Sequence, residues 1–324
     1  MPTQVDFSFA AFVVETQFLG EIAAFALGDG SVRIVAGDAE HRVQVHSGAI
    51  LSAALSLDGR RFVTGGDDGL VAATDGAGAV IRLVERPRRW IDHVAGGPGD
   101  AVAFVTGRQV TVRFSDGRER SLDLPRSAGG IAFAPRGTRL AIARYDGVTL
   151  WWPATEAAPT QLDWKGAHLV VSFSPDGKYV VTSMQDNALH GWRLADGKDM
   201  RMSGYPAKPR SMSWSAKGRF LATSGANAAV LWPFHHKEGP MGRPPLQLGA
   251  REVLATRVAC HPKEELVAIG YQDGMVLAVR FADAEEAVLR RPGGGPVSAL
   301  AWDGGGRRLA VGTEGGAGSL VVIG

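Results

Sequence analysis

This chain has little cysteine and almost no net charge. Cys260 is the single cysteine among 324 residues, so no intramolecular disulfide can form. The 35 Lys and Arg residues nearly balance the 33 Asp and Glu residues, which leaves a formal net charge of +2. A charge so close to balance does not by itself require a nucleic-acid partner.

Long apolar segments are also missing. No uninterrupted apolar stretch approaches the roughly 20 residues that a membrane-spanning helix needs. The N-terminal residues Met1 to Asp6 have neither the basic region nor the apolar run of a signal peptide. We therefore expect a cytoplasmic protein that does not bind a membrane.

Short apolar runs and glycine are plentiful. The segment from Val171 to Trp192 has three runs of β-branched and aromatic residues, separated by Ser174-Pro175-Asp176-Gly177 and Met184-Gln185-Asp186-Asn187. Apolar runs divided by such turn residues indicate a meander of strands. With 43 glycines in the chain, many tight turns are expected.

The same pattern recurs along the whole chain. The glycine of the first turn, or its nearest equivalent, falls about 40 residues apart in eight repeats, at Gly20, Gly59, Gly99, Gly137, Gly177, Gly218, Glu264 and Gly305. A regular spacing of about 40 residues predicts a radial array of four-stranded units.

Three segments carry a resemblance to a known family. Phe173-Ser174-Pro175-Asp176-Gly177, followed by Thr182, Asp186 and Trp192, resembles the WD40 repeat, as do Thr64–Gly69 and Arg144–Trp152. The resemblance extends from about residue 10 to residue 324 and implies a β-propeller.

We expect one all-β domain over residues 1–324, a closed β-propeller of four-stranded antiparallel blades. The repeats predict eight blades; the alternative is seven, with the segment Ile91–Leu124 as a degenerate third repeat. The last repeat, Val297–Ile323, supplies only three strands. The N-terminal run Gln4–Phe9 alternates as a strand does, and we expect it to close the last blade.

The resemblance also implies a structural hydrogen-bonded set within a repeat. In the second repeat His46, Thr64 and Asp68 match its positions, while Thr74 stands where the family has tryptophan. This set resembles a catalytic triad in composition, but in the family it orders a loop.

Loops that follow the outer strands lie on the face where the family usually binds partners. Arg86, Arg88 and Arg89 precede Trp90 in one of them, and arginine beside an aromatic residue is typical of binding hot spots. The predicted partner-binding residues are Arg86, Arg88, Arg89, Trp90, Asp67, Arg144, Tyr145, Gln185 and Tyr271. The alternative is ordinary solvated charge, because the opposite face also carries arginines such as Arg60 and Arg139.

These features predict a non-catalytic scaffold that binds a protein partner of acidic or mixed charge. We expect a monomer with no nucleic-acid partner and no cofactor, and we assign no catalytic, cofactor-binding or metal-binding residues. The alternative is an enzyme, or a metal- or small-ligand-binding propeller, that uses the insertion of the sixth repeat. His235 and His236 lie in that insertion, and His261 with Cys260 would approach it if it joins the third and fourth strands of the repeat.

Overall fold

The computed structural model describes residues 3–323, and these form thirty β-strands and one 3₁₀ turn, Pro98–Asp100. In chain order the strands are β1 Thr3–Ser8, β2 Val13–Leu19, β3 Ile22–Leu27, β4 Ser31–Ala36, β5 Ala39–Gln44, β6 Ile50–Leu55, β7 Arg61–Gly66, β8 Leu70–Asp75, β9 Val80–Glu85, β10 His93–Gly96, β11 Val102–Thr106, β12 Gln109–Arg113, β13 Glu119–Asp123, β14 Gly130–Phe133, β15 Leu140–Trp151, β16 Thr160–Phe173, β17 Tyr179–Met184, β18 Leu189–Arg193, β19 Asp199–Met202, β20 Met212–Trp214, β21 Phe220–Thr223, β22 Ala229–Pro233, β23 Leu246–Leu248, β24 Ala255–Cys260, β25 Leu266–Tyr271, β26 Val276–Arg280, β27 Glu286–Arg290, β28 Val297–Trp302, β29 Arg308–Thr313 and β30 Ala317–Val322. Within this part of the chain, no helix has the length and apolar composition needed to cross a membrane.

The strands form antiparallel sheets that follow one another along the chain. Six sheets have four strands each, in the orders β2-β3-β4-β5, β6-β7-β8-β9, β10-β11-β12-β13, β20-β21-β22-β23, β24-β25-β26-β27 and β1-β30-β29-β28. The remaining sheet has six strands, in the order β14 to β19. The predicted all-β architecture of four-stranded antiparallel blades is therefore confirmed.

The predicted number of eight blades is wrong, and the alternative of seven is confirmed. The reason lies in the length of two strands. β15 has 12 residues and β16 has 14, and β15 includes Asp146 and Gly147, whose φ values are +66° and +133°. Because the fourth and fifth repeats share one sheet, eight sequence repeats form seven sheets. The third repeat, expected to be degenerate, forms the regular sheet β10-β11-β12-β13.

Contacts divide the chain into two compact units. The first unit comprises residues 11–173, and the second comprises residues 3–10 with 174–323. In the first unit, Phe62 and Leu70 pack with Ala24 and Val32 of the preceding sheet. The core thus lies between the faces of neighbouring sheets, which is why β3 is buried on both sides along almost its whole length.

The last sheet of the second unit is completed by the N-terminal strand. β1 pairs with β30 from Thr3↔Val322 to Ser8↔Ala317, and the carboxylate of Asp6 accepts a 2.6 Å hydrogen bond from the Ser319 hydroxyl. The prediction that the N-terminal segment supplies the missing outer strand is confirmed. Pairing with β1 satisfies the edge that β30 would otherwise expose.

Candidate partner-binding site

The second repeat contains the hydrogen-bonded set that the resemblance implied. The Nε2 atom of His46 lies 2.8 Å from the Thr64 hydroxyl, and Nδ1 lies 3.0 Å from the Asp68 carboxylate. Asp68 also accepts bonds from the backbone N–H groups of Ser47 and Leu70. Burial acts to raise the pKa of Asp68, but these bonds outweigh it and hold the pKa below its ordinary value. The set therefore fixes the loop that follows β5.

A second set of this kind, in the sixth repeat, was missed by the sequence analysis. The Tyr205 hydroxyl lies 2.6 Å from the hydroxyl of Thr223 and accepts a 2.6 Å bond from the Trp232 indole. Tyr205 precedes Thr223 by 18 residues, the same separation as between His46 and Thr64. Tyr205 thus takes the place of the histidine, and a search for histidine alone could not find it.

The loop with the densest group of predicted binding residues follows β9 and is held against the turn before β8. The N–H of Arg86 donates to the Gly69 carbonyl at 2.8 Å, and the N–H of Ile91 donates to the Gly66 carbonyl at 3.0 Å. The approach is so close that a Cβ atom on Gly69, whose φ is +81°, would lie 2.1 Å from the Arg86 carbonyl oxygen. The loop is consequently rigid at both ends.

Arg88 adopts a backbone conformation that favours glycine. It follows Pro87 in a turn closed by the bond from the Arg89 N–H to the Arg86 carbonyl, 3.1 Å, and its φ is +64°. A left-handed conformation costs a residue with a Cβ atom about 1–2 kcal/mol. Its side chain is exposed, and Trp90, two residues further along, is 65% exposed.

Further contacts follow at the same end of the first unit, from this loop to the turn after β11 and then to the loop after β13. The Asp92 carboxylate accepts from the Gly107 N–H at 2.8 Å, and the Arg108 carbonyl accepts from the Leu124 N–H at 2.8 Å. The guanidinium of Arg126 then lies 4.7 Å from the centre of the Tyr145 ring. We call the four exposed side chains along this path, Arg88, Arg89, Arg108 and Arg126, the arginine row.

The arginine row contains no ion pair, whereas the opposite end of the same unit has both paired arginines and, among the described residues, unpaired ones such as Arg136 and Arg139. Between residues 3 and 323, none of the row's four guanidinium groups has an acidic partner. At the opposite end, Arg118 lies 2.6 Å from Asp116, Arg120 lies 2.6 Å from Glu156, and Arg60 lies 3.9 Å from Asp58. The row therefore retains a positive charge that these other arginines share with nearby carboxylates.

The structure places the predicted residues of the first unit in different environments. Arg88, Arg89, Trp90 and Tyr145 are exposed. Arg86 is partly buried; it forms an ion pair with Glu119 and lies over the Phe104 ring at 5.4 Å. Asp67 is also partly buried, with its carboxylate against Gly48. Arg144 is 8% exposed and bonds to neighbours within its own sheet. Arg108, in the turn after β11, was not among the predicted binding residues. The signal for it was that an arginine stands where other repeats have aspartate in this turn.

The two predicted residues of the second unit also differ. The Gln185 side chain is exposed beside Asp186, whose carboxylate accepts a 2.9 Å bond from Arg201. Tyr271 is fully buried, and its hydroxyl donates to the Gly249 carbonyl. Burial raises the pKa of Tyr271 above its ordinary value. Of these two residues, only Gln185 presents its side chain at the surface.

The histidines considered as metal ligands make other contacts. The insertion that contains His235 and His236 does join β22 to β23, as expected, and their ring centres are 4.0 Å apart. His261 uses both ring nitrogens: Nε2 lies 2.9 Å from the Gly306 carbonyl, and Nδ1 accepts the Glu264 N–H at 2.9 Å. Among the described residues, no group of three or more His, Cys, Asp or Glu side chains could hold a metal ion.

Cys260 lies beside these histidines in sequence and is partly buried. Its thiol donates to the Ser213 carbonyl at 3.4 Å. Burial raises the pKa of this thiol to about 12, so it stays protonated at neutral pH.

Comparison with known proteins agrees with this geometry. The family described as "WD domain, G-beta repeat" matches residues 37–72, the segment that contains His46, Thr64 and Asp68. No curated protein matches the chain. Among solved structures, the computationally designed Ika8 protein is similar with a TM-score of 0.79 over 98% of each chain, at 16% sequence identity. A likeness at that identity shows the fold alone.

The repeated four-stranded sheets and the match of residues 37–72 to the WD40 repeat together support a WD40-repeat β-propeller. Propellers of this class commonly serve as protein-interaction scaffolds and are typically not enzymes.

Proposed function

We propose that this propeller is a non-catalytic platform that binds a protein partner of acidic or mixed charge through the arginine row. The row's four guanidinium groups have no acidic partner among the described residues, and two exposed aromatic side chains, Trp90 and Tyr145, accompany them, which supports the proposal. Guanidinium groups bind carboxylates through two parallel hydrogen bonds. We place the protein in the cytoplasm as a monomer.

The backbone around Arg88 adds a second reason. A strained residue persists where surrounding structure enforces it, and such residues cluster at functional sites. Glycine would relieve the left-handed conformation, yet an arginine with an exposed side chain stands there. Because the loop is bonded to the turn at Gly66–Gly69, little conformational entropy is lost when a partner docks.

Exposed aromatic rings extend the proposed surface at both ends of the row. Trp90 is 65% exposed and Tyr145 is 41% exposed, and Tyr145 is stacked with Arg126. Tryptophan, tyrosine and arginine are the residue types enriched among binding hot spots. Exposed arginines and aromatic rings suit a protein surface rather than a metal ion.

Affinity capture from the native cell's lysate tests the proposal. The wild type is compared with Arg88→Gly/Arg89→Ser and with a control, Arg60→Ser/Arg118→Ser, that removes the same charge from the opposite end. We expect a specific protein to be retained by the wild type and the control, released by salt, and lost from the first variant. Equal retention by all three folded proteins would contradict the proposal.

A further inference from the structure

A cavity opens beside the last member of the arginine row. It has a volume of about 260 Å³ and lies between β13 with its following loop on one side and β15 with β16 on the other. Leu124 and Pro125, which line it, directly precede Arg126, and the lining residue Arg144 directly precedes Tyr145. The backbones of the stacked pair Arg126 and Tyr145 thus adjoin the lining of this cavity.

The polar side of the cavity has already formed its hydrogen bonds. All three nitrogens of Arg144 donate: Nε to Thr149 and Gln161, Nη1 to the Tyr145 carbonyl, and Nη2 to Gln161 and Asp163, at 2.8–3.1 Å. The Thr149 hydroxyl donates to Gln161 at 2.7 Å. A ligand would gain few polar bonds there, and none of these groups needs one.

The charges around the cavity also exclude an anionic occupant. Arg144 is paired with Asp163 at 2.8 Å, and a second carboxylate, Asp123, lines the rim. A carboxylate inside the cavity would face these acids, and the cation in the lining, Arg144, is already paired. The remaining lining residues are apolar: Leu122, Leu124, Pro125 and Pro159.

We propose that this cavity holds one uncharged, apolar side chain of an extended acidic segment in the partner. The carboxylates on the side of that anchor residue that faces Arg126 bind the arginine row, whose member Arg126 follows the lining residue Pro125. This inference rests on the proposed function and specifies which kind of partner segment the surface recognises. The volume is below the range of about 300–1,000 Å³ that drug-sized ligands occupy, so it suits a single side chain.

Two labelled peptides test the inference by fluorescence anisotropy. One has a leucine between four glutamates on each side, and the other has alanine in place of the leucine. Burial of the leucine side chain predicts that the wild type binds the first peptide about ten- to a hundredfold more tightly. Leu122→Trp fills the cavity without changing charge, and Ile81→Trp, on the exposed face of outer strand β9, controls for an added indole.

The outcomes distinguish the contribution of the apolar anchor to affinity from that of the charged residues. We expect Leu122→Trp to remove the preference for leucine while keeping salt-dependent binding of both peptides, and Ile81→Trp to keep the preference. Arg88→Gly/Arg89→Ser should weaken both peptides equally. Equal affinity of the wild type for the two peptides would overturn the anchor and leave the platform standing. No binding of either peptide at low salt would overturn both. The comparison of peptides on the wild type does not depend on whether a variant folds.

Discussion

The indole nitrogen of Trp232 donates a 2.6 Å hydrogen bond to the hydroxyl of Tyr205. The same hydroxyl bonds to Thr223, whose own hydroxyl donates to the Val230 carbonyl at 3.0 Å. Burial raises the pKa of Tyr205 to about 12, so the phenol stays protonated over the physiological range. One buried phenol thus connects β21, β22 and the segment that precedes β20.

Tyr205→Phe removes that connection and leaves the Trp232 N–H without its acceptor. We expect the free energy of unfolding to fall by about 1–3 kcal/mol, because a buried donor without a partner bears its desolvation cost. Denaturant unfolding measures the change. Trp232→Phe in the same background should then cost less than it does in the wild type, since the two groups act as a pair.

Thr74→Val should stabilise the protein by about 1 kcal/mol. Thr74 is fully buried, and its hydroxyl has no hydrogen-bond partner among the described residues, so the substitution removes an unsatisfied polar group at nearly constant volume. Thr64→Val is the matched control on the neighbouring strand: it removes the bond to His46 and should destabilise. Thermal unfolding of the two variants measures the change. A shift of both melting midpoints in the same direction would show that the unsatisfied Thr74 hydroxyl does not explain the effect.

Asp68→Ala should destabilise by about 1–2 kcal/mol at neutral pH, and less in acid. Burial raises the pKa of this carboxyl, but its bonds from His46, Leu70 and Ser47 outweigh that effect and hold the pKa below 3.8. The resulting stability is present above the pKa of the unfolded chain and is lost as pH falls through the folded value.

The measurement for Asp68 is urea unfolding at neutral pH and at about pH 3. The gap between wild type and Asp68→Ala should narrow in acid. Asp68→Asn, which cannot titrate, should keep a constant gap to Asp68→Ala. A wild-type advantage of the same size at both pH values would show that the carboxylate does not stabilise the loop as proposed.

Arg88→Gly should leave the melting temperature unchanged or raise it. Relief of the left-handed conformation should raise the free energy of unfolding by about 1–2 kcal/mol. The greater freedom of glycine in the unfolded chain should lower it by about 0.5–1 kcal/mol. Arg89→Gly, at the next residue, has no positive φ to relieve and should lower the midpoint. A drop for Arg88→Gly equal to that for Arg89→Gly would show that residue 88 is not strained.

Much of the fold was predictable because each repeat has its own turn signals. The pattern that predicted a strand at Gln4–Phe9 also predicted its pairing with the last repeat, since Val297–Ile323 supplies only three strands. His46, Thr64 and Asp68 were found because the family's spacing is retained there. These features depend on local sequence and on repetition.

Other features depend on neighbours that a sequence does not show. The seven-sheet count follows from the continuity of β16, which passes Gly166, at a φ of +123°, without ending. Arg144 and Tyr271 were expected in exposed turns, but the structure places Arg144 within β15 and Tyr271 at the end of β25. Both side chains point inward to hydrogen-bond partners. Tyr205 was missed because a phenol performs the role expected of an imidazole.

The salt dependence of partner affinity tests the central claim most directly. The captured partner's Kd is measured at low and physiological salt for the wild type, for Arg88→Gly/Arg89→Ser and for the opposite-end control Arg60→Ser/Arg118→Ser. We expect the first variant to bind at least about tenfold more weakly at low salt, with a shallower salt dependence, and the control to match the wild type. If the two variants shift the Kd equally, or neither does, the arginine row is not the binding surface.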